Sequence, residues 1–218
     1  MGFTKQTYCN QVTSYIRSLI RKGTLEIGAP VKEAVLSEQL GISRAPIREA
    51  LQVLVQEGLI TSEPQKGKHV RQMTGKEIYD SYVVAGILEG AGVAESLPLW
   101  TEANMETFRS VVRQMEGKIN YATKLDELAE IDELFHATLF MACDNTRLVE
   151  MARTSCATIS KYLYYQHWIT MFTPREYADR HHAVAEAVYS RDVKHVETAL
   201  RDHYKETGLR MAQFGKEA

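Results

Sequence analysis

Within the stretch IDELFHATLF, Asp132 and His136 stand four residues apart. On a helix that spacing stacks a carboxylate and an imidazole on one face, and both are costly to bury without a partner. The later chain adds His181, His182, His195 and His203, which helical phasing sorts. Over 124–142 the apolar stripe is Leu128, Ile131, Phe135, Leu139 and Ala142, with Asp132 and His136 on its border. Over 174–190 the stripe is Tyr177, Val184 and Val188. His181 falls within about 60° of it, whereas His182 points away. Over 192–213, His203 joins Val196, Leu200 and Thr207, and His195 falls roughly 100° off, towards solvent. The inward set is therefore Asp132, His136, His181 and His203. One carboxylate and three imidazoles suit Zn²⁺ first, then Ni²⁺, Fe²⁺ or Mn²⁺, with coordination positions left for water or a ligand. The alternative is that each buried polar group has its own protein partner, and the spacing alone leaves both readings open. A metal-bound water could make such a set a hydrolase. Against this, the set lacks an obvious general base, and no nucleophile elbow or phosphate loop occurs. A di-iron bundle would need paired ExxH motifs, whereas this chain has DxxxH once.

A second chemistry resides in SRAPIREALQVL, whose helical core stripe is Ile47, Ala50, Leu51 and Leu54. Arg44 and Arg48 lie one turn apart at the edge of that stripe, near the helix N-terminus. In a recognition helix that end enters the major groove, where an arginine reads guanine O6 and N7 while its neighbour holds a phosphate. Downstream, PQKG carries a basic tip, Lys66, Gly67 and Lys68, suited to follow a nucleic-acid backbone or minor groove.

The elements that position these groups fall into two halves. In the first, helices are expected over 7–22, 33–40 and 44–57, with Gly41 and Gly58 as stops, Ser43 as a cap and Pro46 in a tolerant first turn. Extended runs over 59–62 and 68–71 then flank PQKG as a β-hairpin. Three helices and a two-stranded wing make a winged helix-turn-helix over residues 1–73. From there on the period is helical throughout: 76–97, 101–121, 124–142, 145–170, 174–190 and 192–213 form an all-α six-helix bundle over 74–218. The predicted fold is mainly α.

The net charge of −2 is unevenly spread. Residues 1–75 hold 10 Lys and Arg against 6 Asp and Glu, and the remainder holds 16 against 22, so only the first half is suited to meet a polyanion. Cys9, Cys143 and Cys156 show no CxxC spacing and read as free thiols. No run reaches the roughly eighteen unbroken apolar residues of a spanning helix, and MGFTKQTYCNQ lacks the apolar core of a signal peptide. The expected location is the cytoplasm.

The run GTLEIGAPVKEAVLSEQLGISRAPIREALQVLVQEGLITSEPQKGKHV resembles the DNA-binding domain of GntR-family transcription regulators, with LGISRAPIREAL, EGLI and PQKG at matching intervals. The resemblance implies a homodimer on a palindromic double-stranded operator. It also places Ser43, Arg44 and Arg48 at recognition-helix contacts and Lys66 and Gly67 at the wing tip. Ala34 stands where some relatives carry a DNA-contacting arginine, and Lys66 replaces the more usual wing arginine. IDELFHATLFMACDNTRL and RHHAVAEAVYSRDVKHVETALRDH resemble the ligand-binding (FCD) domain of the FadR-type branch, in its six-helix form. That resemblance implies a divalent metal on Asp132, His136, His181 and His203, a small carboxylate effector at the metal, and a transcription regulator, a repressor more often than an activator, rather than an enzyme. One departure is Ala85, four residues before Glu89, where relatives often carry an effector-binding arginine. The aromatic run YLYYQHW (162–168) reads as helix-packing core or, less simply, as pocket lining with His167 as a polar contributor.

Overall fold

A computed structural model describes residues 8–217, so the expected helix start at residue 7 lies outside the described residues. Contacts divide the chain into two compact units: one running to Met73 and taking back Thr158–Gln166, the other comprising Thr74–Ala157 and His167 onward. This differs from the division at residues 73 and 74 by that returning segment.

In the first unit, α1 (Tyr8–Arg21) buries Val12, Thr13, Ile16 and Ile20. Tyr15 is exposed, whereas Thr13 turns inward and gives its hydroxyl to the Cys9 carbonyl. Helix α2 (Glu33–Leu40) ends at Gly41, whose φ of 64° is a left-handed stop that favours glycine. The turn is fastened by Ser37, which gives its hydroxyl to the Ile42 carbonyl and accepts the Ile42 N–H at its own carbonyl. Helix α3 (Arg44–Gln56) follows and buries Ile47, Ala50, Leu51 and Leu54, the stripe read from the sequence. Strands β1 (Ile60–Glu63) and β2 (Gly67–Val70) pair antiparallel, with Ile60 opposite Val70 and Glu63 opposite Gly67. Gln65 and Gly67 take positive φ, which lets a three-residue tip close the wing.

The returning segment packs on this unit. Tyr164, 1% exposed, accepts the Met73 N–H at 3.1 Å and gives its hydroxyl to the Met73 carbonyl at 3.3 Å. Arg21 donates to the Tyr165 hydroxyl and lies 4.1 Å from its ring centroid. The 162–168 run is thus mostly packing core, and most of it belongs to the first unit.

In the second unit, α4 (Gly75–Ser96) starts from a capping box in which Thr74 and Glu77 satisfy each other's backbone N–H. The other helices are α5 (Glu102–Ile119), α6 (Ala129–Leu139), α7 (Thr146–Ser155), α9 (Pro174–Ser190) and α10 (Val193–Ala212), while the short α8 (Tyr165–Trp168) is divided, with Tyr165 and Gln166 in the first unit. The single helix expected over 145–170 breaks after Ser155. There Thr154 and Ser155 turn their hydroxyls onto the Glu150 and Met151 carbonyls and compete for the helix's acceptors. A π-turn, Ile159–Leu163, takes over.

The core of this unit is built from Phe108, Leu128, Ile131, Phe135, Leu139, Tyr177, Val184, Val188, Val196 and Leu200, among others. Helices α4 and α10 approach so closely that a Cβ on Gly86 would lie 2.8 Å from the Tyr204 Cβ, and one on Gly208 2.8 Å from the Tyr82 Cβ. The segment Gly75–Leu99 is apolar and long enough to be weighed as a membrane span, but half of its apolar window is buried against protein. It is the core helix of this bundle.

Candidate metal centre and nucleic-acid interface

Three helices bring His136 (α6), His181 (α9) and His203 (α10) together, each offering one ring nitrogen, with these nitrogens all within 4.8 Å of one another. Two of the imidazoles are oriented from behind. His181 Nδ1 donates to the Tyr177 carbonyl at 2.8 Å, one turn back on α9, and its Nε2 lies 3.1 Å from Asp132 Oδ1. His136 Nδ1 lies 2.7 Å from Glu89 Oε1, and its Nε2 lies 4.0 Å from the same Asp132 oxygen. Asp132 therefore sits beside two of the three rings. His203 Nδ1 is buried and has no hydrogen-bond partner. The other candidates lie away from the triad: His182 is half-buried with Nε2 3.3 Å from Glu116 Oε1, His195 is exposed, and His167 stacks on Phe214.

The electrostatics are those of a site short of a cation. Burial alone would raise Asp132, but the contact with His181 Nε2 and the positive charge of His136 outweigh it and hold the carboxyl at about 2. Burial would lower His136. The charge and hydrogen bond of Glu89, with Asp132 behind them, overcome this and hold it up at about 9. His181 is pushed down by burial, which Asp132 only partly offsets. His203 is pushed well down, by burial first and then by Arg180 and its two neighbouring imidazoles. Two neutral imidazoles, one of them with an orphaned buried nitrogen, and an ionised carboxylate make a donor set of the kind that holds a divalent ion. The residues present fit such a group.

Supporting contacts fix the set. Glu89, 3% exposed, also accepts the Tyr204 hydroxyl at 2.6 Å. Arg180 gives Nη2 to the His203 carbonyl and to the Thr207 hydroxyl, both at 2.6 Å, and Nε to Glu206 at 2.8 Å, locking α9 to α10 at the triad. Sequence reasoning missed Glu89, Tyr204 and Arg180 as parts of the site. Their helical positions mark them as borderline, but only tertiary packing aims them at the imidazoles. Ala85 is fully buried on α4, so the charged donor that relatives often carry has no counterpart at that position.

In the first unit, Ser43 occupies the N-cap of α3 with extended backbone, but its side chain makes no capping hydrogen bond. The expected cap is absent and the hydroxyl stays on the surface. Ser43, Arg44 and Arg48 are exposed along one end of α3, and Lys66 and Gly67 are exposed at the wing tip. Arg48 lies 3.4 Å from Glu33 at the start of α2, and the other oxygen of Glu33 accepts from Lys68 on β2 at 3.1 Å. These two cations, outweighing the effect of burial, hold the Glu33 carboxyl below its usual range. Lys66 pairs with Glu63 across the tip at 2.8 Å.

Residues 9–70 match the family model described as bacterial regulatory proteins, gntR family, and residues 80–206 match the FCD domain. The chain belongs to the GntR family. Its second half is an FCD domain, and the family is one of DNA-binding transcription regulators, so the hydrolase reading finds no support. Among its relatives is the probable D-xylose utilization operon transcriptional repressor of Paenarthrobacter nicotinovorans. It is 31% identical over an alignment covering 67% of this chain and 64% of that protein, so the chain spans less than two thirds of that relative's length. The HTH-type transcriptional repressor RspR of Escherichia coli is 26% identical over 87% of this chain and 82% of that one. Among solved structures, E. coli McbR/YncC superposes with a TM-score of 0.69 at 19% identity, covering 96% of this chain and 99% of that one, which shows a shared fold.

Proposed function

We propose that this GntR-family chain is a cytoplasmic transcriptional repressor whose hold on DNA is set by a small effector, a carboxylate, at a divalent metal in the FCD domain. The convergence of His136, His181 and His203 beside Asp132 carries the reading, because a buried unpartnered nitrogen on His203 is costly unless something occupies the centre. Asp132, His136, His181 and His203 would hold the ion, Zn²⁺ first among the candidates. The bound ion supplies a Lewis-acidic anchor for an anionic oxygen. With Ala85 in place of an arginine, that anchor carries the main attraction for an effector's acid group. Ser43, Arg44 and Arg48 would read and grip the major groove, with Lys66 and Gly67 on the adjoining backbone or minor groove. A homodimer on a palindromic operator follows from the two-fold logic of helix-turn-helix binding. The repressor assignment draws on the printed names of the two relatives described above.

Effector control then requires that the ligand favour one arrangement of the chain by about 1–3 kcal/mol, a 5- to 150-fold change in operator affinity. The test is a mobility-shift titration with DNA from the chain's own promoter region, together with a thermal-shift screen of metal-loaded protein against small carboxylic and sugar acids. The reading requires salt-sensitive, sequence-specific binding, and an acid that stabilises wild type but not His136→Ala and that weakens the DNA complex. Protein that binds specific and random DNA equally, or that no acid stabilises, refutes it.

A further inference from the structure

We infer that Glu89 is the positioning residue of the metal centre, fixing which nitrogen of His136 faces the ion. Glu89 lies on α4, a helix that contributes none of the four proposed ligands. Even so, its carboxylate is buried at 3% exposure and aimed at the triad's rear. One oxygen takes the His136 Nδ1 proton at 2.7 Å, and the other takes the Tyr204 hydroxyl at 2.6 Å. With Nδ1 committed to Glu89, His136 presents Nε2 to the centre, on the side where Asp132 Oδ1 lies 4.0 Å away. Tyr204 follows His203 on α10, so a single carboxylate ties the α6 ligand to the helix that carries the α10 ligand. The close approach of α4 to α10 at Gly86 leaves no room for a larger residue beneath Tyr204, which keeps its hydroxyl over the carboxylate.

A buried carboxylate kept only for folding needs a cation or donors, but it has no reason to be shared between a ligand imidazole and the residue next to another ligand. An acceptor behind a metal-bound imidazole has a definite chemical effect. It selects the ring tautomer, holds the ring plane and raises the basicity of the coordinating nitrogen. Removing such an acceptor lowers metal affinity by about 10- to 100-fold.

This inference rests on the metal reading above, and the experiment separates the two. Wild type, Glu89→Gln, Tyr204→Phe and the core control Met105→Ala are titrated with Zn²⁺ and Co²⁺ against a chromophoric chelator. Imidazole tautomers are then read by long-range ¹H–¹⁵N correlation on the Zn²⁺-loaded full chain. The expected result is about a 10- to 100-fold weaker site in Glu89→Gln, with His136 no longer in a single Nε2-bound state and the Co²⁺ absorption bands altered. Met105→Ala, a core truncation on α5, should lower stability without moving either readout. Tyr204→Phe keeps the ring and frees one Glu89 oxygen. It should weaken the site several-fold, and it decides the question should Glu89→Gln fail to fold. Wild-type affinity with an unchanged His136 tautomer in the folded variants overturns the role of Glu89 while leaving the metal site standing. Wild-type protein that takes up neither ion overturns both.

Discussion

Replacing Tyr164 by Phe tests whether the segment Thr158–Gln166 is an integral part of the DNA-binding unit. The Tyr164 ring is almost wholly buried, and its hydroxyl serves both backbone groups of Met73, which is itself 4% exposed. Phe retains the ring and its packing, so the substitution opens no side-chain cavity, and the effect lies in the hydroxyl's hydrogen bonds, two of them to Met73. Each is worth about 0.5–1.5 kcal/mol net, and a buried N–H left without a partner costs about 1–3 kcal/mol. The 3.1 Å bond from the Met73 N–H dominates, and the 3.3 Å bond to its carbonyl adds less. The expected loss is therefore about 1–3 kcal/mol, or roughly 3–9 °C in Tm for a chain of this size. Tyr165→Phe is the matched control. That hydroxyl accepts from Arg21, and the cation–π contact at 4.1 Å survives the change, so the loss should stay below about 1 kcal/mol. Urea unfolding followed by far-ultraviolet circular dichroism reports the whole chain, and amide exchange at residues 8–73 localises the effect. Equal midpoints for the two variants, with unchanged exchange around Met73, would show that the segment is not docked as described.

Arg48→Ala should weaken specific operator binding by about 10- to 100-fold, since a good base-reading pair is worth about 1–3 kcal/mol. Glu33→Gln should leave stability nearly unchanged while raising affinity for random DNA, because it releases Arg48 and Lys68 from a competing carboxylate; a mobility-shift salt series separates the two effects. His203→Ala should abolish stabilisation by Zn²⁺ in a thermal-shift assay, whereas His195→Ala, on the exposed face of the same helix, should leave it intact. In metal-free protein the His136 pKa is raised from about 6.5 to about 9, so its contribution to stability is complete below pH 6.5 and lost as pH rises through 9. Melting of the chelated protein should therefore fall across that window, while Zn²⁺ affinity rises across it because the ion must displace the proton. A flat melting profile between those limits would contradict the assigned charge state.

What could be read in advance follows from how far each interaction reaches along the chain. The stripe Ile47, Ala50, Leu51 and Leu54 and the stop at Gly41 are local, and they announce themselves in the helical period and in the one residue type suited to a left-handed cap. The inward bias of His181 and His203 over His182 and His195 is also local, since 100° per residue decides it within two turns of a known stripe. The break after Ser155 depends on hydroxyls choosing carbonyls four residues back, a competition whose outcome is marginal in any one sequence, and the period alone favoured an unbroken helix. The docking of Tyr164 onto Met73, 91 positions earlier in the chain, leaves no trace in local pattern. Neither does the meeting of Glu89 with His136 and Tyr204.

The same long-range contacts arrange the proposed metal centre in advance of any coordination. Asp132 is held ionised and His181 and His203 neutral, so three of the four proposed ligands already have the protonation state that coordination needs. Only His136 carries an extra proton, kept there by Glu89 and Asp132 on either side of the ring. That proton supplies, in the metal-free chain, part of the positive charge that a divalent ion would bring. Exchange of one for the other need not rebuild the site, because the Nδ1 contact to Glu89 can persist while Nε2 changes its occupant. A centre that swaps charge without refolding can respond to a ligand on the ion through small shifts of α6, α9 and α10 alone. The contacts that hold those helices together are the Arg180 bonds to His203 and Thr207 and the Glu89 bonds to His136 and Tyr204.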